Sequence, residues 1–163
     1  MRSVKVVEKT PIEMISILPD GEFSAAKIFV GLGEKLKCKS KVRFAPAHKT
    51  WKCVFSRTKP ARVLFTLECT NNRWHIKACL WNIDAYHEFL SRCSDRIKND
   101  IAGAYNCKSC NNHCKGGAGF TFEDKQYQKC VGCCFYFSKL CKDDWDSLAL
   151  LITKEYEATN HTE

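Results

Sequence analysis

The stretch "TWKCVFSRTKPARVLFTLECTNNRWHIKACLW" (residues 50–81) decides the fold, because its apolar residues recur with the two-residue period of a β-strand. Short polar turns divide it into three extended runs, 50–57, 61–69 and 73–81. The second turn contains Asn71-Asn72, a pair that favours a β-hairpin. Strands joined by such short turns pair antiparallel. The sequence therefore predicts an antiparallel β-meander.

Alternation along these runs also predicts which side chains enter the core. On the first run Trp51, Cys53 and Phe55 share a face, and the middle run is apolar on both faces. The inward face of the last run is predicted to carry Trp74, Ile76, Ala78 and Leu80. His75 and Lys77 fall on its outward face.

A basic segment precedes the meander. In "KLKCKSKVRF" (35–44) cations alternate with mostly apolar residues, which predicts a further strand with five cations on one face. These candidate nucleic-acid-binding residues are Lys35, Lys37, Lys39, Lys41 and Arg43. Such a row can track a phosphate backbone. The competing interpretation is a solvated face whose lysines discourage edge-to-edge strand pairing.

Helices are predicted on both sides of the meander. Thr10, Pro11 and Glu13 form a capping box with proline at the first helical position, which predicts a short helix to about Leu18. Further helices are predicted over 22–31, from Asn82 or Asp84, after Ser94 as N-cap, and from about Lys142. The last has an apolar stripe of Trp145, Leu148, Ala149, Ile152 and Tyr156.

Six of the twelve cysteines lie between residues 106 and 134, with the short spacings that metal sites use. A hairpin predicted around Asp124-Lys125 brings the two halves of this cluster together. The favoured ligands are Cys107, Cys110, Cys114 and Cys130. Cys133 is the main substitute, because Cys107-x2-Cys110 with Cys130-x2-Cys133 also matches a zinc-ribbon spacing.

Four thiolates suit structural zinc, since a closed all-sulfur set leaves no coordination position open for catalysis. Lys108, Lys115 and Lys129 lie beside the ligands and offset their negative charge. An iron–sulfur cluster and a redox or disulfide role remain as alternatives. The six cysteines outside the cluster are predicted to be small buried apolar residues: Cys38, Cys53, Cys69, Cys79, Cys93 and Cys141.

The motifs "CKSCNNHCKGGAGFTFEDKQYQKC" and "ARVLFTLECTNNRWHIKACLWNI" together resemble an uncharacterised bacterial family of small cytoplasmic α+β proteins with a C-terminal cysteine motif. The resemblance covers roughly residues 40–157. Its Cys-x2-Cys-x3-Cys…Gly-Gly…Cys pattern falls on Cys107, Cys110, Cys114, Gly116, Gly117 and Cys130. It implies the fold and the metal site, with Cys133 and Cys134 as additions, and it brings no established activity.

Taken together, these patterns predict an α+β protein: a meander with helices on one face, plus a zinc-stabilised hairpin and a closing helix. The α+β part is expected over residues 1–104 and the cysteine-rich part over 105–158, as one structural unit. The N-terminus lacks the features of a signal peptide, and no stretch reaches the roughly 18 apolar residues that span a bilayer. A cytoplasmic protein without a membrane partner is expected.

Functional motifs are scarce. The sequence offers no Ser/His/Asp order, Gly-rich phosphate loop or paired carboxylates, which favours a non-enzymatic protein. We expect a zinc-stabilised binding or regulatory module whose sheet receives a small molecule or a protein. The alternatives are a nucleic-acid-binding protein that uses residues 35–43, for which the net charge of +8 is suitable, and a thiol-based metal carrier or redox protein.

Overall fold

The computed structural model describes residues 8–103, 119–128, 134–138 and 140–160. The favoured zinc ligands, the substitute Cys133 and the paired glycines that follow Cys114 lie outside these ranges. Predictions that concern their arrangement therefore remain predictions.

Helices and strands occur in separate runs along the chain, as expected for an α+β protein. The helices are Pro11–Ile15 (α1), Asp20–Lys35 (α2), His87–Ser91 (α3), Asp95–Ala102 (α4) and Lys142–Asn160 (α5). The strands are Lys39–Ala45 (β1), Thr50–Thr58 (β2), Ala61–Cys69 (β3), Trp74–Cys79 (β4), Gly119–Phe122 (β5), Lys125–Gln128 (β6) and Cys134–Phe137 (β7). Single 3₁₀ turns occupy Pro46–His48 and Ile83–Tyr86.

Local signals placed most of these elements correctly. The Thr10 side chain accepts from the Glu13 backbone N–H while the Glu13 carboxylate accepts from the Thr10 N–H, so the capping box is confirmed. The helix it starts ends at Ile15, three residues before the predicted end at Leu18. Ser94 caps α4 as predicted, because its hydroxyl accepts from the Ile97 N–H.

The main sheet has five strands in the order β1-β2-β3-β4-β7, and every neighbouring pair is antiparallel. The predicted basic strand and the three-strand meander form its first four strands. The Thr70 N–H donates to the Arg73 carbonyl at 2.8 Å and closes the turn at Asn71-Asn72. The fifth strand, β7, comes from the cysteine-rich half of the chain and pairs with β4.

The core lies between this sheet and the helices, which pack on one of its faces. Phe29 of α2 contacts Phe65 and Trp74 on the sheet and Trp145 on α5, with ring centroids 5.9–6.4 Å apart. Burial of these large apolar groups is the main favourable contribution to folding. All four side chains predicted for the inward face of 73–81 are buried.

Helix α5 is attached to the rest of the fold by polar groups as well as by its apolar stripe. Near its start, the buried Asp144 carboxylate accepts from Arg96 Nε at 2.6 Å. In its last third, the buried Glu155 carboxylate accepts from the backbone N–H groups of Trp81 and Asn82. Each of these buried acceptors must keep its donors. The hydrogen bonds therefore fix the rotation of α5 about its own axis.

At the other end of α5, the buried Arg57 side chain of β2 satisfies helix groups. Its Nη1 donates to the Tyr156 carbonyl at 3.0 Å, and its Nη2 bonds the Asn160 side chain. A cation at the C-terminal end of a helix also interacts favourably with the helix dipole, so Arg57 stabilises this end of α5.

The separate hairpin β5-β6 turns at Glu123 and Asp124, one residue before the predicted centre, and both residues have positive φ. Two central residues with positive φ match the twist that hairpins prefer. Phe120 packs its ring against Phe135 of β7. No helix in the described ranges is both long enough and apolar enough to cross a bilayer.

Candidate functional site

The face of the main sheet that points away from the helices is strongly cationic. Strand alternation places there Lys39, Lys41, Arg43, Lys52, His75 and Lys77, a set that we term the basic face. The three β1 members are exposed and the other three are half-buried. Sequence alternation had placed His75 and Lys77 outward, and this is confirmed.

The basic strand is shorter than the sequence pattern predicted. Helix α2 continues through Lys35, and Lys37 lies in the connecting turn with φ of 53°. The prediction of five cations on one strand face is therefore wrong for these two residues. The core-facing side of α2 continues to its last turn, where Leu32 and Gly33 are buried one helical turn after Phe29 and Val30. This burial favours a helix through Lys35.

Strand register aligns charged groups across the sheet. Arg43 lies opposite Lys52, Lys52 opposite Glu68, and Glu68 opposite His75. Glu68 is the one acidic residue in the five strands of this sheet. A single row across four strands therefore combines three basic side chains with one carboxylate.

The two neighbours of Glu68 engage both of its oxygens. Lys52 Nζ lies 2.9 Å from Oε1, and His75 Nε2 lies 2.9 Å from Oε2. The hydrogen bond with His75, together with Lys52, lowers the pKa of the Glu68 carboxyl to about 2, although burial opposes the shift. The row therefore presents no uncompensated negative charge to a ligand.

An exposed aromatic ring adjoins the next row. Tyr136 of β7 pairs with Lys77 and is 51% exposed. Its ring centroid lies 5.4 Å from Lys77 Nζ and 5.4 Å from the His75 ring centroid. Exposed rings beside cations are the usual platform for bases of single-stranded nucleic acids. The aromatic residues of β2 do not contribute to this platform, because Phe55 is buried in the core.

Two clefts border the sheet and the hairpin. One, of about 440 Å³, adjoins the basic face at His75 and is lined by Glu22, Asn72, Arg73, Trp74, His75 and Ser138. The second, of about 480 Å³, lies between the helices and the β5-β6 turn and is lined in part by Asp84, His87, Lys98 and Asp124. The first has a donor-rich rim, from Arg73 and Asn72, that is continuous with the cations of the sheet.

A pair of thiols lies at the far end of β4 and the start of β7. Cys79 and Cys134 are register partners, with their Sγ atoms 2.9 Å apart. The hydrogen bond with Cys79 and the nearby Lys77 lower the pKa of the Cys134 thiol to about 7, against the effect of burial. The sequence had assigned Cys79 only a packing role, because no short spacing links it to Cys134.

The other cysteines in the described ranges divide between core and surface. Cys53 and Cys69 face the core, where burial raises the pKa of each thiol to about 12. Cys93 is also buried and Cys38 is half-buried. The prediction of burial is wrong for Cys141, which is exposed and accepts from Arg96 Nη2.

In the part of the chain that the structure describes, no three His, Cys, Asp or Glu side chains form a group that could hold a metal ion. The favoured quartet and Cys133 lie outside that part, so zinc or iron–sulfur binding there stays a prediction.

No family model, curated protein or solved structure matches the chain. The resemblance to the bacterial family likewise stays a prediction.

Proposed function

We propose that this protein is a non-enzymatic binding module whose basic face receives single-stranded nucleic acid. The observation that carries the proposal is the convergence of six basic side chains from β1, β2 and β4 on one sheet face, beside the exposed Tyr136. Cations that replace counterions on phosphates supply most of the affinity of sequence-independent binding.

The spacing of these cations suits an extended strand. Alternate residues along β1 lie about 6.5–7 Å apart, and neighbouring strands about 4.8 Å apart. The positions Lys39, Lys41 and Arg43 thus form a regular line along the sheet edge, and Lys52 extends it inward. A single strand can follow this line with its phosphates near the edge and its bases directed inward across the sheet. Tyr136 lies on β7 at the opposite edge, so it can stack a base only where the nucleic acid crosses the sheet toward β4 and β7.

The charge distribution favours a polyanion over a neutral ligand. Glu68 is paired with Lys52 and hydrogen-bonded to His75, whereas acidic residues gather at the start of α5, at Asp143, Asp144 and Asp146. A field of one sign on one surface steers an oppositely charged partner and orients it.

The test is binding of a fluorescein-labelled oligouridylate at several salt concentrations, measured by anisotropy. Lys39, Lys41 and Arg43 are replaced together by Gln. If all three contact phosphates, the slope of log K against log salt should become shallower by about 2, at roughly 0.7 per contact. The control replaces the exposed Lys27, Arg92 and Lys125 by Gln, which removes the same charge elsewhere.

Salt-independent binding by the unmodified protein would reject the proposal. An equal decrease of the salt slope in the control variant would also reject it. In either case the sheet face and its 440 Å³ cleft would have to serve a small molecule or a protein instead.

We also propose a structural zinc ion bound by Cys107, Cys110, Cys114 and Cys130, with Cys133 as the substitute ligand. The support is the spacing of these residues in the sequence. Elemental analysis of the purified protein should give about one zinc per chain. Iron with labile sulfide would identify the alternative cluster, and metal far below one equivalent would contradict both.

A further inference from the structure

Cys79 and Cys134 occupy directly opposed positions on the antiparallel strands β4 and β7, with their Sγ atoms 2.9 Å apart. Opposed residues in an antiparallel pair have Cα atoms about 4.5–5.5 Å apart, and disulfides form across about 4.4–6.8 Å. The backbone therefore already provides the separation that a cross-strand disulfide needs.

The two thiols differ in access. Cys79 is 5% exposed, whereas Cys134 is partly exposed on the edge strand. A reagent from solution therefore reaches Cys134 first, and Cys79 can react only with a sulfur that is already beside it. This order matches that of an attacking thiol and a resolving thiol in thiol–disulfide exchange.

We propose that Cys79 and Cys134 form a reversible dithiol–disulfide pair that low-molecular-weight disulfides of the glutathione class oxidise. The Cys134 sulfur loses its proton, attacks one sulfur of the small disulfide and expels one thiolate, which leaves a mixed disulfide. The Cys79 sulfur then loses its proton, attacks Cys134 Sγ and expels the second thiolate. Two protein thiols are oxidised, one small disulfide is reduced to two thiols, and the two protons pass to these products.

Other described cysteines lack this combination of neighbour and access. Cys53 and Cys69 are fully buried, so a reagent cannot reach them in the folded protein. Cys141 is exposed, but its sulfur accepts a hydrogen bond from Arg96. We expect Cys141 to form a mixed disulfide and to remain in that form.

The experiment incubates the full-length native protein with glutathione disulfide, blocks remaining thiols with iodoacetamide and maps the products by peptide mass spectrometry. The expected product links the peptides of Cys79 and Cys134, is lighter by two hydrogens, and is reversed by reduced glutathione. In Cys79→Ser, glutathione should accumulate on Cys134. In Cys134→Ser, Cys79 should stay reduced, while Cys141 serves as the internal control.

Two results would overturn the proposal: a reduced Cys79 in oxidised unmodified protein, or a disulfide from Cys134 to another cysteine. Equal reactivity of Cys79 in Cys134→Ser would contradict the order of attack. Mapping of the unmodified protein decides the main point even if a variant fails to fold. The inference is independent of nucleic-acid binding.

Discussion

Tyr86 donates a 2.7 Å hydrogen bond to the carboxylate of Glu155, and both side chains are buried between the turn after β4 and helix α5. The same carboxylate accepts from the backbone N–H groups of Trp81 and Asn82 and from the Asn82 amide. One acidic side chain thereby satisfies four donors and joins the end of the meander to the closing helix.

Replacement of Glu155 by Ala should be among the most damaging single changes, because it leaves buried donors without an acceptor. We expect the free energy of unfolding to fall by about 3–5 kcal/mol. Tyr86→Phe removes one hydrogen bond to a charged group and should cost about 1.5–3 kcal/mol. Chemical denaturation measures both. The exposed Glu157→Ala on the same helix is the control, and a similar loss there would contradict the assignment.

Two glycines of α2 should respond in opposite directions to alanine. A Cβ at Gly33 would lie 2.3 Å from Cδ1 of Phe55, whose ring is buried and stacked on Phe65. Gly33→Ala should therefore lower the free energy of unfolding by about 1–3 kcal/mol. A Cβ at Gly31 meets nothing within 4 Å, so Gly31→Ala should raise it by about 0.4–1 kcal/mol.

Thermal or denaturant unfolding of the two variants checks this pair. Equal changes in the free energy of unfolding would mean that Gly33 does not lie against the Phe55 ring.

Glu68 should make stability depend on pH in the acid range. Its folded-state pKa of about 2 is below the ordinary value of 4.5, so its contribution is fully present above pH 4.5 and disappears as the pH falls through 2. Glu68→Gln should be less stable than the unmodified protein by roughly 1–3 kcal/mol at pH 7. The difference should narrow steadily below pH 4.5.

Denaturant unfolding between pH 7 and pH 2 measures this difference. The exposed Glu34→Gln provides the comparison, and its curve should run parallel to that of the unmodified protein. A Glu68→Gln difference that stays constant with pH would show that the ion pairs with Lys52 and His75 are not formed.

Lysine should not replace Arg57 without a loss of stability. It donates to the carbonyls of Lys59 and Tyr156 at the same time, which the planar guanidinium allows and a lysine ammonium on a flexible stem does not. Arg57→Lys should lower stability by about 1–3 kcal/mol and speed hydrogen exchange in the last turn of α5. Arg92→Lys, at an exposed arginine after α3, is the control and should change little.

The sequence predicted what local patterns encode. The meander follows from two-residue alternation and from the turn residues Asn71-Asn72, and α4 from its cap at Ser94. The Glu68–His75 pairing was also within reach, since a turn closed between Thr70 and Arg73 places these two residues opposite each other. The strand register that follows from this turn is enough to predict the pair.

Contacts between segments far apart in the sequence could not be predicted from local patterns. Nothing in the spacing of Cys79 and Cys134 predicts that β7 pairs with β4, because strand pairing depends on how the whole core packs. The end of α2 was missed for a related reason. Alternating lysines suit an exposed helix end and turn as well as a strand, and the core contact of Gly33 with Phe55 decided between them.

The position of β7 has a consequence for the order of synthesis on the ribosome. Strands β1 to β4 are contiguous in the chain and can pair as soon as they emerge. The outer edge of β4 must then wait for Cys134–Phe137, more than fifty residues later. Until that strand arrives, the nascent chain exposes an unpaired edge that carries Ile76 and Ala78, the kind of surface that chaperones protect from aggregation.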